Sequence, residues 1–235
     1  MLRQKIQFSK NRTLKGVGLF SVLLFSQFNA YSDELELGYD TRYVSEGRNN
    51  IDQGGIAWLQ LNHYLVDSIS LFGVYGAGDN YDELNLGLVY SQTFHEINYY
   101  LSVTRLEFFA DKSSDNELGF GLSYSPIEQF SLSADAVYSI EADGTFVEFS
   151  FLYSLFINPF LTFNPYVKTG LDYGYASTEK NGYNHTALGA IMTLELSPNL
   201  SFNLVAEHSL SGTQVKRETK KNNHSWLGIR AVYNY

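Results

Sequence analysis

No cysteine occurs among the 235 residues, so the fold contains no disulfide and the chain offers no thiolate for catalysis or metal binding. Beyond residue 32 no apolar run approaches the roughly 20 residues that an α-helix needs to cross a bilayer. The mean hydropathy of −0.18 is also too polar for a helical membrane protein. Basic residues are scarce, with 16 Lys and Arg against 25 Asp and Glu. Five of the 16 (Arg3, Lys5, Lys10, Arg12 and Lys15) lie in the first 32 residues, which leaves 11 against 25 and a net charge of −14 for the remainder. Phosphate backbones demand clustered Lys and Arg, so this balance excludes nucleic acid as a partner. Aromatic residues, in contrast, are plentiful, with 18 Tyr and 17 Phe but only 2 Trp.

The N-terminus has the pattern of an export signal. Its basic, acid-free start is followed by the short apolar run Gly16–Phe28 and then by Ala30-Tyr31-Ser32, a small-x-small cleavage site. Cleavage is expected after Ser32, with Ala30 as second choice; the alternative is an uncleaved anchor helix. Residues 1–32 are thus expected to be a signal peptide and residues 33–235 one outer-membrane β-barrel domain, with no second domain, linker or low-complexity tract.

Period-two alternation, the mark of a strand with one apolar and one polar face, runs through that domain. It is plainest at the C-terminus. There Leu227, Ile229, Ala231, Tyr233 and Tyr235 alternate with Trp226, Gly228, Arg230, Val232 and Asn234, up to the last residue. Twelve such segments are expected: 34–45, 55–66, 69–77, 83–94, 97–106, 117–125, 129–140, 145–156, 162–175, 185–196, 201–210 and 225–235. Ten or fourteen remain open, around 69–77 and 156–165. Tight connections at 66–68, 95–96, 126–128, 157–160 and 197–199 alternate with looser ones at 46–54, 78–82, 107–116, 141–144, 176–184 and 211–224. Three of the 4 prolines fall in the tight connections, where a missing ladder donor does no harm.

The pattern predicts an all-β fold, a single antiparallel up-and-down transmembrane β-barrel with short periplasmic turns and longer outside loops. A periplasmic β protein also has alternating strands. Its core, however, could not be the face that carries Asp, Glu, Asn, Ser and Gly here, and the tyrosines near strand ends suit interfacial girdles.

On the inner phase lie Glu36, Asp40, Glu117, Asp135, Glu148, Asp172, Glu195 and Glu207, against Arg42, Lys168 and Arg230. Two readings follow. An acid-lined narrow pore favours small neutral or cationic solutes; alternatively the charges pair across a plugged lumen, and the barrel acts structurally or binds through its outside loops. A third and weaker reading is an outer-membrane lipid hydrolase using His208, although Ser209 points to the opposite face. His63, His95, His185 and His224 are expected at turns or rims. No metal site, cofactor or catalytic residue is expected. Arg105 and the loop cations Lys216, Arg217, Lys220 and Lys221 are candidate contacts for lipopolysaccharide phosphates. The remaining partners expected are outer-membrane lipids and, through the strand ending at Tyr235, the barrel-assembly machinery.

The stretch Tyr39–Gly55 (YDTRYVSEGRNNIDQGG), followed by Asp79–Ser91 (DNYDELNLGLVYS), resembles the Gcw_chp (TorF-like) porin family of proteobacteria. That resemblance covers about the first third of the domain. It implies an outer-membrane barrel of porin type and supplies no substrate and no site residues.

Overall fold

The computed structural model describes residues 33–51, 53–176, 181–213, 215 and 223–235. The expected signal peptide lies outside them. Fifteen strands follow in chain order. They are β1 (Glu34–Asp40), β2 (Val44–Ser45), β3 (Arg48–Asn49), β4 (Ile56–Val66), β5 (Ile69–Gly78), β6 (Tyr81–Phe94), β7 (Ile97–Phe108), β8 (Ser113–Ile127), β9 (Phe130–Ser139), β10 (Gly144–Tyr153), β11 (Leu155–Asn158), β12 (Leu161–Tyr173), β13 (Asn181–Ser197), β14 (Leu200–Ser211) and β15 (Asn223–Asn234). β10 and β11 form one stave interrupted at Ser154, and both pair with β12. β2 and β3 pair only with each other. What remains is a twelve-stave antiparallel barrel, in which each stave pairs with its sequence neighbours and β1 closes the ring on β15 from Glu34↔Asn234 to Asp40↔Gly228.

Closure leaves no sheet edge, and the period-two pattern decides what each face meets. Outward positions are apolar and exposed: Leu37, Leu86, Leu101, Leu118, Phe149, Leu188, Leu227 and Ile229 form a belt around the wall. Exposed aromatics ring both ends of that belt, Phe94, Phe156, Phe160, Tyr233 and Tyr235 at the rim with the termini, and Tyr39, Tyr75, Phe109, Tyr173 and Tyr183 at the opposite rim. An exposed apolar belt of this extent is incompatible with water and fits a hydrocarbon layer with aromatic girdles at its surfaces.

The terminal rim carries two-residue turns, Asp67-Ser68, His95-Glu96, Glu128-Gln129, Pro159-Phe160 and Pro198-Asn199. The connections of the opposite rim, hereafter the loop rim, are longer, with one exception. Asp79-Asn80, expected within a looser segment, is a tight turn in which Asn80 adopts the left-handed backbone (φ 54).

Inside the barrel, large side chains pack across glycines of the paired strand. Trp58 faces Gly38 and Tyr166 faces Gly189 in register. A Cβ at Gly38 would stand 2.4 Å from the Trp58 ring, and one at Gly189 would stand 2.2 Å from the Tyr166 ring. Phe72 over Gly87 and Tyr100 over Gly121 repeat the arrangement. The inner-face glycines are therefore the floor on which the lumen's aromatics lie.

Three deviations from the expected strands shape the bore. The first strand ends at Asp40, not near residue 45, so Tyr43 is buried inside instead of facing out. Gly174 takes φ 84 just past β12, which breaks the alternation and turns Tyr175 into the lumen. A register shift opposite Gly170 and Leu171 gives β13 one extra residue, and Asn184 and His185 are consecutively buried.

Candidate functional site

The bore is graded along its axis. Near the terminal rim the inward residues Asn62, Tyr64, Ser91, Asn98, Ser123, Ser131 and Asn203 are partly exposed. Towards the loop rim the inward positions are buried, among them Gln60, Asn85, Thr104, Ser139 and Ser209. The lumen is a cavity entered from the terminal side and narrowed beyond its middle.

The narrowing comes from the first loop. The chain leaves β1, turns inward at Tyr43 and forms the β2–β3 hairpin, whose turn Glu46-Gly47 has positive φ at both positions (44° and 70°), as a two-residue primed turn requires. Gly47 packs so closely on β13 that a Cβ would lie 2.6 Å from that of His185. The hairpin is fastened on several sides. Tyr43 Oη donates to Glu83 Oε2 at 3.0 Å, Arg48 Nη1 donates to the Ala176 carbonyl at 2.6 Å, and Ser211 Oγ donates to the Gly47 carbonyl at 3.2 Å. An apolar cluster of Tyr43, Ile51, Ile56, Trp58, Phe72 and Val74 fills the space beside it.

Below and around the hairpin the inward charges form two groups. In the first, Lys168 Nζ meets Glu207 Oε2 at 3.1 Å, and Glu207 also accepts hydrogen bonds from Tyr166 Oη (2.8 Å) and Trp226 Nε1 (3.1 Å). Beside it Arg230 stands 3.7 Å from Glu36 and 3.6 Å from Asp40. The second group is almost purely acidic. Tyr100 donates to Asp135 at 2.9 Å, Tyr175 donates to Glu117, and Asp172 Oδ1 accepts the backbone N–H groups of Tyr175 and Ala176 at 2.9 and 3.1 Å. Glu148 lies 3.6 Å from His185 Nε2.

Of the lumen candidates, Glu36, Asp40, Asp135, Glu148, Lys168, Asp172 and Glu207 are buried in the bore, as is Glu117, and Arg230 lies at its partly exposed edge. Two candidates are exposed. Arg42 is exposed because β1 has already ended and the loop has begun its turn. Glu195 keeps the inward phase opposite Ser201 and is exposed at the terminal end of β13, just before the register shifts. His185 and His224, expected at turns or rims, are buried as well. Glu46, Arg48 and Glu83 are inner residues that the sequence reading missed. Glu83 continues the inward phase of Asn85 and Gly87 and was readable from it; Glu46 and Arg48 lie in a loop without periodicity. Among the described residues no group of three His, Cys, Asp or Glu is arranged to hold a metal ion.

Burial pushes the Glu46 carboxyl up from 4.5 to about 8; Glu117 and Glu148 add to the rise, and the Ser45 hydroxyl and Arg48 oppose it. The protonated form is therefore the one that packs. Its stabilisation is complete below the ordinary value of 4.5 and is lost as pH rises through about 8. Raising the pH from 6 to 10 should loosen the hairpin, read as faster proteolysis of the first loop in the folded barrel. Glu46→Gln should remove the pH step; a step of equal size in that variant would show that another group controls it.

On the outer face, His208 points outward as expected, and a partner reaches it from the neighbouring strand instead of from its own. His208 Nδ1 and Ser225 Oγ are 2.7 Å apart. They border an open groove of about 600 Å³ that also includes Thr41, Arg42, Leu188 and Leu227. Among the described residues no carboxylate hydrogen-bonds His208. Arg105 is exposed on the wall and pairs with Glu107 at 2.7 Å, while Lys216, Arg217, Lys220 and Lys221 lie outside the described residues.

A closed antiparallel barrel with a polar, loop-narrowed lumen and an apolar outer belt is the porin-like type of barrel. No protein-family model matches the chain, and no curated protein matches it in sequence. Solved structures share its fold. The KdgM porin is similar at 7% identity with a TM-score of 0.63, over 86% of this chain and 99% of that one. The COG4313 outer membrane channel from Pseudomonas putida F1 is similar at 11% identity and TM-score 0.56, over 88% and 97%. The NanC porin is similar at 10% and 0.55, over 86% and 98%. At these identities the likeness is one of fold.

Proposed function

We propose that the protein is an outer-membrane, narrow, porin-like diffusion channel for small neutral or cationic solutes. The observation that carries this reading is the graded bore, open from the terminal side, lined with carboxyl groups and narrowed by the inward first loop. An acid-rich wall in a low-dielectric tube raises the local concentration of cations and repels anions. A KdgM structure holds disordered oligogalacturonate; the excess of carboxyl groups here would oppose such a polyanion. The resemblance of Tyr39–Gly55 to the Gcw_chp (TorF-like) porin family agrees with the same function. In this reading residues 1–32 direct export, and the strand ending at Tyr235 addresses the barrel-assembly machinery. Arg105 and the cations of the last loop meet lipopolysaccharide phosphates.

Planar-bilayer recording of the refolded protein tests the channel. Ohmic steps with a cation-selective reversal potential in a salt gradient are expected. A folded but silent barrel would overturn the reading in favour of a non-conducting barrel that acts structurally or through its outside loops, for which the packed outer half of the bore is the supporting observation. Interfacial lipid hydrolysis rests on the His208–Ser225 contact alone. It is abandoned if His208→Ala leaves any detected deacylase activity unchanged.

A further inference from the structure

Trp58 and Trp226, the 2 tryptophans of the chain, both lie in the bore and both approach the same cation. The Arg230 guanidinium carbon is 5.1 Å from the centre of the Trp58 ring and 5.9 Å from that of Trp226, within cation–π range of each. Glu36, Asp40 and Glu207 complete the surroundings. The cage is built without help from its occupant. Trp58 Nε1 donates to Asp40 Oδ2 at 3.3 Å and Trp226 Nε1 donates to Glu207 Oε1 at 3.1 Å, so carboxylates, not Arg230, orient both indoles.

Arg230 itself is held by charge and ring contacts more than by short hydrogen bonds. Its contacts with Glu36 and Asp40, at 3.7 and 3.6 Å, exceed hydrogen-bond length, and its Nε has no hydrogen-bond partner among the described residues. Lys168, by comparison, meets Glu207 at 3.1 Å. Arg230 also stands where the bore opens. Its register partner Asn203 is partly exposed towards the wide terminal half.

We infer that this cage is a recognition station for small organic cations bearing a guanidinium group, occupied at rest by the guanidinium of Arg230, which an entering solute displaces. The inference deepens the channel reading and rests on it for access from the wide half. Two indole faces reward a planar, weakly hydrated cation, whereas a compact hydrated ion gains only from the carboxylates. The station would therefore select by chemistry within the cations that the acidic wall admits.

Intrinsic tryptophan fluorescence reads the cage alone, because the chain has no tryptophan elsewhere. Refolded full-length protein and its Arg230→Gly variant would be titrated with methylguanidinium chloride, and with potassium chloride at equal ionic strength. The expected result is a saturable change with methylguanidinium, half-complete at a concentration at least roughly tenfold lower in the variant than in the unmodified protein, and no such change with potassium. A folded variant that does not respond would overturn the inference. So would an equal response to potassium, which would reduce the cage to a sink for counter-ions. If the variant does not fold, the titration of the unmodified protein decides: a saturable, methylguanidinium-specific change supports displacement of Arg230, and its absence overturns it. A saturable signal from a barrel that is silent in bilayers would sink the channel reading and leave the cage standing.

Discussion

Replacing the Val44–Asn49 hairpin by a short Gly-Ser linker should raise single-channel conductance by about threefold or more and weaken cation selectivity. The hairpin enters the bore without being part of its wall, and it brings Glu46 and Arg48 with it. A barrel of twelve staves lies between those whose lumen side chains fill and those that hold a wide water channel, so one inserted hairpin decides its effective width. Gly47→Val is the milder version. A β-branched residue is strained at φ 70, and its Cβ would collide with that of His185. It should shift conductance in the same direction while the barrel keeps its heat-modifiable band. Unchanged conductance in both variants would place the constriction elsewhere.

The second large effect is on stability. Lys168→Met should destabilise the barrel by about 3–5 kcal/mol, because it leaves Glu207 buried without its cation. The Lys168 and Glu207 side chains are only 10% and 2% exposed, so water cannot replace the lost partner. The double variant Lys168→Met/Glu207→Gln should recover most of the loss. A neutral amide at position 207 still accepts from Trp226 through its carbonyl oxygen, while its NH2 group donates to the Tyr166 hydroxyl in place of the bond that Tyr166 gave the carboxylate. The urea midpoint of the barrel in detergent measures both. A Lys168→Met midpoint equal to that of the unmodified protein would mean that the pair contributes nothing. A double variant no better than the single one would assign the cost to lost lysine packing instead of to an unpaired charge.

The strands were legible because their environment is simple. A stave between hydrocarbon and a polar lumen must alternate, and a one-residue slip would put Glu148 or Asp135 into lipid. This is why Leu118, Phe120 and Leu122 could be assigned outward and Glu117 inward from spacing alone. The inner acids on regular strands were readable by the same rule. Arg42 was misplaced because the rule was carried past the end of the strand. Beyond Asp40 the backbone no longer pleats, and position parity stops predicting direction. Tyr175 failed in the same way at Gly174; His185, by contrast, keeps the inward parity of Ala187 and Gly189, and Asn184 is the residue that the bulge adds to the inner face.

The amino-acid order by itself thus determined a barrel of about twelve staves and the polarity of its two faces, because each of these follows from local periodicity and the chemistry of two solvents. The tertiary structure decided the width of the bore and the company of its charges. Tyr43 reaches Glu83 only because the first loop folds inward, and Trp58 meets Arg230 only because β1 lies between β15 and β4 once the ring is closed. Contacts of that kind join residues far apart in the chain, so no local pattern encodes them, and they exist only after the wall has closed around the space they fill.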